Sequence, residues 1–227
     1  MSHNVILANL PYLLNGLKTT IVMSLLAMGM CLIFGTALCF ARRSRSPLLR
    51  MPARAYIDVI RSAPLLLIIF WFIFFVPRFT GIRLDPYGSA LIALVAYFST
   101  HVAEIMRAGI QAVPRTQIEA GQGSGLNQWQ VYRFVVMPQA IKNMIPALIS
   151  RFVALIMGTS LTYIVGVIEF FRAATIVNNR EYASVQIFSF VAIVYFIICF
   201  GFSRFGELCR RRLGAQELRK MEISLGR

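Results

Sequence analysis

Acidic residues are scarce in this chain: nine Asp and Glu stand against 23 Lys and Arg, for a formal charge of +14. Cysteine is also sparse. The four present (Cys31, Cys39, Cys199 and Cys209) show no C-x-x-C spacing, and three lie in apolar runs or at their edges. Neither a disulfide scaffold nor a zinc site is indicated. No G-x-x-x-x-G-K-[ST] phosphate loop occurs, so any ATP hydrolysis belongs to another chain. No nucleophile–base pair or metal cluster stands out either, which leaves catalysis without a candidate. Residues 1–15 hold no Lys or Arg and so lack the basic start of a signal peptide.

What is abundant is apolar surface. The chain is 58% hydrophobic with a mean hydropathy of +0.69, well beyond the ~45–50% of soluble domains. Lipid has to cover the excess. From 17 to 41 the only charge is Lys18, at the edge, which leaves more than the ~20 residues a helical span needs. A second run, 63–76, is short and is expected to borrow Tyr56 to Ser62 as its first turns. Pro77 closes it, and Gly81 and Pro86 mark the turn that follows. Further spans are expected at 87–106, 144–168 and 185–202. The sequence predicts an all-α integral membrane protein of about five transmembrane helices. It reads as one transmembrane domain over 1–227, with a core at about 13–204 and a basic tail at 204–227.

The cations sort by position. With the N-terminus outside, the inner segments carry 17 basic residues: Arg42, Arg43, Arg45, Arg50, Arg54 and Arg61; Arg107, Arg115, Arg133 and Lys142; and the tail from Arg204 to Arg227. The outer loops hold only Arg78, Arg83, Arg172 and Arg180. This asymmetry orients the protein N-terminus out and C-terminus in. It also accounts for the net charge without nucleic acid.

Between the third and fourth spans lies a polar segment, 115–141, with helix signals. Thr116 and Glu119 have capping-box spacing, and Gly125 is placed to stop the first helix. Asn127 with Gln130 repeats the box, Leu126 and Val131 form a candidate staple, and Pro138 bars a bond to the preceding turn. The expectation is a rigid knob of two short helices on the cytoplasmic face. Trp129 and Tyr132 on its second helix suit partner contacts and an interfacial belt equally.

Glu119-Ala120-Gly121, three residues, Gly125, nine residues, then Val135-Val136-Met137-Pro138 resembles the EAA loop of bacterial ABC import permeases. That loop reads E-A-A, three residues, G, nine residues, I-x-L-P. Gly121, Val135 and Met137 are the departures. Other stretches resemble the polar amino acid uptake branch of that family: Asn15 to Thr20, Ile60 to Leu65, Ala103 to Ile110, Met137 to Ala140, Thr159-Ser160-Leu161 and Glu169 to Arg172. The resemblance implies the membrane subunit of a type I importer in the bacterial inner membrane. It implies two ABC ATPase subunits below, a second copy or homologous permease beside it, and an extracytoplasmic amino-acid-binding protein above. ATP and Mg would sit on the ATPases, and this chain would hold no cofactor. Glu119, Ala120, Gly121, Gly125, Val135, Met137 and Pro138 would form the coupling surface.

Ionisable groups inside spans are candidates for the substrate pathway. Glu104 and Arg107, one turn apart, are placed to pair with each other. His101 has no second ligand spaced with it and is expected to pack rather than bind metal. Arg151, about 10 Å into the fourth span at ~1.5 Å per residue, either snorkels to the surface or meets substrate. The family pattern there is N-Q, five residues, K-D-T-S-L; this chain has Ser150-Arg151 and Met157-Gly158-Thr159-Ser160-Leu161. Its helix is thus more positive by one arginine, which suits an extra substrate carboxylate, and Glu169 to Arg172 also resembles the glutamate/aspartate branch. Arg61, His101, Glu104, Ser150, Arg151, Gly158, Thr159 and Ser160 are the candidate pathway residues. If a homologous partner holds the pocket, this chain is scaffold. The alternative function is a stand-alone secondary transporter or channel, against which no inverted repeat is found.

Overall fold

In the computed structural model the residues described are 5–81 and 85–225, with side chains through Arg212. Of the charge count above, Arg83 and Arg227 lie outside them, as do the side chains of Arg219 and Lys220. Among the described residues there is no strand. After one turn at Val5–Ala8, helix α1 runs over Leu10–Arg43. Its buried positions are Leu13, Gly16, Thr20, Met23, Ser24, Ala27, Cys31, Gly35 and Cys39. Their spacing of three and four places them on one helical face. Leu25, Leu26, Ile33 and Phe34 are exposed on the rest of the surface. A helix apolar all round with one small-residue seam is made for lipid on one side and helices on the other.

Helix α2 (Pro47–Ser62) and helix α3 (Leu65–Thr80) meet at a 113° bend across Ala63-Pro64. The second span is therefore broken, and Tyr56 to Ser62 do not extend the apolar run along its own axis. The cause is local. Pro64 forces Ala63 into extended backbone (ψ 144°), so the helix ends before it. Nor does Pro77 close the run. A π-helical turn over Trp71–Phe75 carries the helix through it, and Gly81 (φ +72°) provides the stop.

Helix α4 (Pro86–Gln111) begins on Asp85, whose carboxylate accepts from the Tyr87 and Gly88 amides. It is the central helix, packed against α1, α2 and α3. A short helix, α5 (Arg115–Gly123), precedes α6 (Gln128–Val165), which also packs on α4. Helix α7 (Phe170–Glu181) and helix α8 (Ser184–Leu225) complete the fold. Among the described residues four helices are long and apolar enough to cross a membrane, or five if the bent α2–α3 pair counts as one span.

Glu169 stands out as a residue whose place the sequence did not disclose. It is fully buried at the start of α7 and accepts from the Phe171 and Arg172 amides at 2.9 and 2.7 Å. Thr20 of α1 and Tyr195 of α8 add hydroxyls at 3.5 and 3.3 Å. One carboxylate thus ties three helices at a shared depth. Neither its capping of α7 nor its two distant partners was legible in the sequence.

Candidate functional site

The knob forms, with its elements differently joined. Helix α5 starts at Arg115 on Pro114, without a side-chain cap. The expected Thr116–Glu119 box is absent because Pro114, fixed at φ −60°, already sets the first turn, and Thr116 falls inside it. The C-terminal end is as expected. Gly125 takes φ +82°, its amide reaches Gln122 O at 3.0 Å, and the Leu126 amide reaches Gly121 O at 3.3 Å. These two bonds make a Schellman corner.

The second box is intact, with Asn127 and Gln130 exchanging side-chain and backbone bonds of 2.9 Å each. Leu126 and Val131 share one apolar cluster with Ile118. Pro138, however, does not end a short helix. A π-helical stretch over Val131–Val136 leads directly into the helix at Met137–Thr159. The wider turn accommodates a proline that cannot donate. The knob's second half is therefore the first turns of the fourth span. That span runs 38 residues in all, about 57 Å at the helical rise, and so reaches well beyond a bilayer core of ~30 Å.

The proposed coupling residues divide by exposure. Glu119, Ala120, Gly125 and Pro138 are exposed, Val135 and Met137 half-buried, and Gly121 buried. A Cβ on Gly121 would stand 3.3 Å from Val131 and 3.4 Å from Val135. Gly121 is therefore where α5 lies against α6, and its exposed neighbours face outward. Above the knob, a cavity of about 530 Å3 is lined by Arg43, Gln111, Arg115, Gln122 and Gln128, among others.

The pathway candidates gather only in part. Arg61 lies in the last turn of α2, which ends at Ser62 just before the break. Glu104, in α4, binds three arginines: Arg42 at 2.8 Å, Arg107 at 2.9 Å and Arg61 at 3.6 Å. Arg42 also meets Asp58 at 3.3 Å. The expected Glu104–Arg107 pair is present but is one edge of a larger cluster. His101 packs on Tyr97 and Phe98 and its Nδ1 lies 3.2 Å from Tyr97 O. Both Arg61 and Arg151 act electrostatically on it. Arg151 is half-buried, and its Nε is enclosed without a hydrogen-bond partner.

Others fall elsewhere. Ser150 is exposed and bonds Pro146 O of its own helix. Thr159 is buried, donates to Ile156 O and lies beside the Tyr195 hydroxyl, on the Glu169 side. Ser160 donates to Met157 O. Gly158 faces the broken span: a Cβ there would come within 3.0 Å of Leu65 and 3.3 Å of Phe98. Its lack of a side chain is a packing requirement here, not only a change of charge. Gly158→Asp is expected to cut the yield of folded protein several-fold, because an unpaired carboxylate among apolar groups costs several kcal/mol. Size-exclusion of the detergent-extracted subunit reads this directly.

A model of binding-protein-dependent transport system inner membrane components matches residues 29–214. A glutamate/aspartate import permease of Escherichia coli O6:H1 is 33% identical over 214 residues, covering 91% of this chain and 96% of that protein. A probable glutamine ABC transporter permease of Bacillus subtilis strain 168 is 32% identical over 212 residues, covering 92% and 95%. The crystal structure of an amino acid ABC transporter with histidines superposes with a TM-score of 0.86 at 30% identity, covering 91% and 96%.

Proposed function

Since the chain belongs to the family of binding-protein-dependent transport system inner membrane components, we propose that it translocates an acidic amino acid, glutamate or aspartate. It is a multi-pass inner-membrane permease subunit of an amino acid ABC importer, and a transport subunit rather than an enzyme. That membership sets aside the stand-alone transporter. The observation that carries the acidic substrate is the unpartnered buried Nε of Arg151 beside Arg61 and His101. A guanidinium with an enclosed, unpaired Nε and a second cation, Arg61, nearby suits an anion, and a carboxylate fits it bidentately. The α3 helix begins against Gly158 and Phe98, about two helical turns along α6 from Arg151. Its free amides add positive potential, as discontinuous helices do in transporter sites. The E. coli relative named above carries the same substrate class in its description.

The working complex in this reading has two permeases, two ATPases on the knobs and a binding protein opposite. ATP-driven closure of the ATPases draws the knobs together, and α6, continuous with the knob, turns the core outward. The test is uptake of labelled glutamate, aspartate, glutamine, histidine and arginine by the reconstituted complex. Glutamate and aspartate are expected to lead; arginine leading overturns the reading. Arg151→Gln should lower kcat/KM for glutamate by about 10–100-fold, the worth of one charge-assisted hydrogen bond of ~1.5–3 kcal/mol. No change would place the pocket in a partner permease.

A further inference from the structure

A chain of polar contacts runs from the break in the second span to Gln111, at the end of α4, where a cavity borders the knob. Arg61 Nη1 lies 3.6 Å from Glu104 Oε2. The same oxygen takes 2.9 and 3.1 Å bonds from Arg107 Nη2 and Nε. Arg107 Nη1 donates to Gln111 Oε1 at 2.6 Å. Gln111 then lines the cavity that Arg115, Gln122 and Gln128 of the knob also line. We propose that Arg61, Glu104, Arg107 and Gln111 form a relay that reports occupancy of the site beside Arg151 to the knob, by exchange of Arg61 from Glu104 to the substrate's carboxylate.

The geometry favours Arg61 as the exchanging member. Its contact with Glu104 is the longest of the three, and its side chain is 40% exposed against 18% for Arg42 and 31% for Arg107. It stands at the end of α2 next to the break, where a substrate approaching Arg151 would meet it. Losing Arg61 does not strand Glu104. Two arginines remain on it, so the exchange avoids leaving a buried charge unpaired. What changes is the load on Arg107. With Arg61 gone, Glu104 draws Arg107 more strongly, and the bond to Gln111 at the end of α4 shifts with it. The substrate thereby has a differential contact in the two states, which any coupling requires.

The relay rests on the reading that substrate carboxylate reaches Arg61. The α-carboxylate of any amino acid suffices, so it does not depend on an acidic side chain. The experiment uses the complete complex in proteoliposomes, with glutamate and glutamine run in parallel, each with its loaded binding protein. ATPase rate is measured with and without substrate, and KM for uptake alongside. Couplings of usual size give about 5–150-fold effects. Gln111→Leu and Arg107→Lys are expected to bring the stimulated-to-unstimulated ratio close to one while KM stays within about twofold. Arg107→Lys keeps the charge but loses the bidentate fork, which guards against a variant that merely misfolds. A ratio unchanged in both variants overturns the relay. So does a KM that rises in step with the lost ratio, since these residues would then hold substrate rather than report it. Stimulation by glutamine alone, abolished by the same variants, leaves the relay standing and removes the acidic substrate.

Discussion

Glu119→Lys and Gly125→Val are each expected to abolish ATP-driven uptake while leaving the subunit inserted at normal levels. The two act on one device by different routes. Glu119 is exposed on α5 and makes no bond that the helix needs, because Pro114 sets the first turn instead. A lysine there should not unfold the knob. It reverses the charge presented to an ATPase, and juxtaposed like charges at an interface cost several kcal/mol. Gly125 works through shape. At φ +82° it closes the corner between α5 and α6, and a Cβ there meets nothing within 4 Å. The penalty is therefore backbone alone, about 1–2 kcal/mol for an L-residue in the left-handed region and more for a β-branched one. Relaxing it re-aims α5 relative to α6. Co-purification of the ATPase, substrate-stimulated hydrolysis and uptake would be measured on the same membranes. Undiminished uptake in both variants would show that the knob is not the coupling element.

Local signals were legible where their partners lie close in sequence. The Asn127–Gln130 box needs only residues three apart, and the Gly125 corner only five, and both formed. Thr116 failed for an equally local reason, since Pro114 two residues earlier had already fixed the turn. The long spans were legible because lipid imposes length and apolarity on the sequence directly. The breaks were not. Pro77 and Pro138 look like stops, yet each follows a π-helical turn that absorbs the missing donor, and nothing in a single sequence distinguishes a stop from a bulge. The true break, at Pro64, sits where the short apolar run was expected to continue back into Tyr56 to Ser62. Of the site, the Glu104–Arg107 pair followed from helical spacing, whereas Arg42 and Arg61 arrive from two other helices. Gly158 looked like a lost charge until Leu65 and Phe98 were placed against it. Spacing discloses neighbours along a helix. It is silent on which helix lies across the seam.

That seam yields the other large effect. Gly35→Leu is expected to prevent assembly of a folded subunit, while Gly29→Leu in the same helix should be tolerated. In lipid there is no hydrophobic gain from bringing two apolar helices together, so association relies on close packing of small residues. Helix α1 supplies these as Ala27, Cys31, Gly35 and Cys39, four apart and all buried. At Gly35 a Cβ would stand 2.7 Å from Val102 Cγ1, 2.8 Å from its Cβ and 2.9 Å from Ser99 O of α4. A carbonyl oxygen and a β-branched side chain fixed at χ1 cannot both move aside, so α1 would have to withdraw along its contact with the central helix. The cost exceeds the ~1–3 kcal/mol usual for overpacking, because the neighbour is backbone. Gly29 is exposed, and a Cβ there meets nothing within 4 Å; leucine adds only lipid-facing surface and improves helix propensity by about 1 kcal/mol. Expression, protease resistance in membranes and co-purification of the ATPase would be compared for the two variants. Equal yields would mean that α1 and α4 do not meet at Gly35, and with that the placement of Glu104 beside Arg42 would also fall.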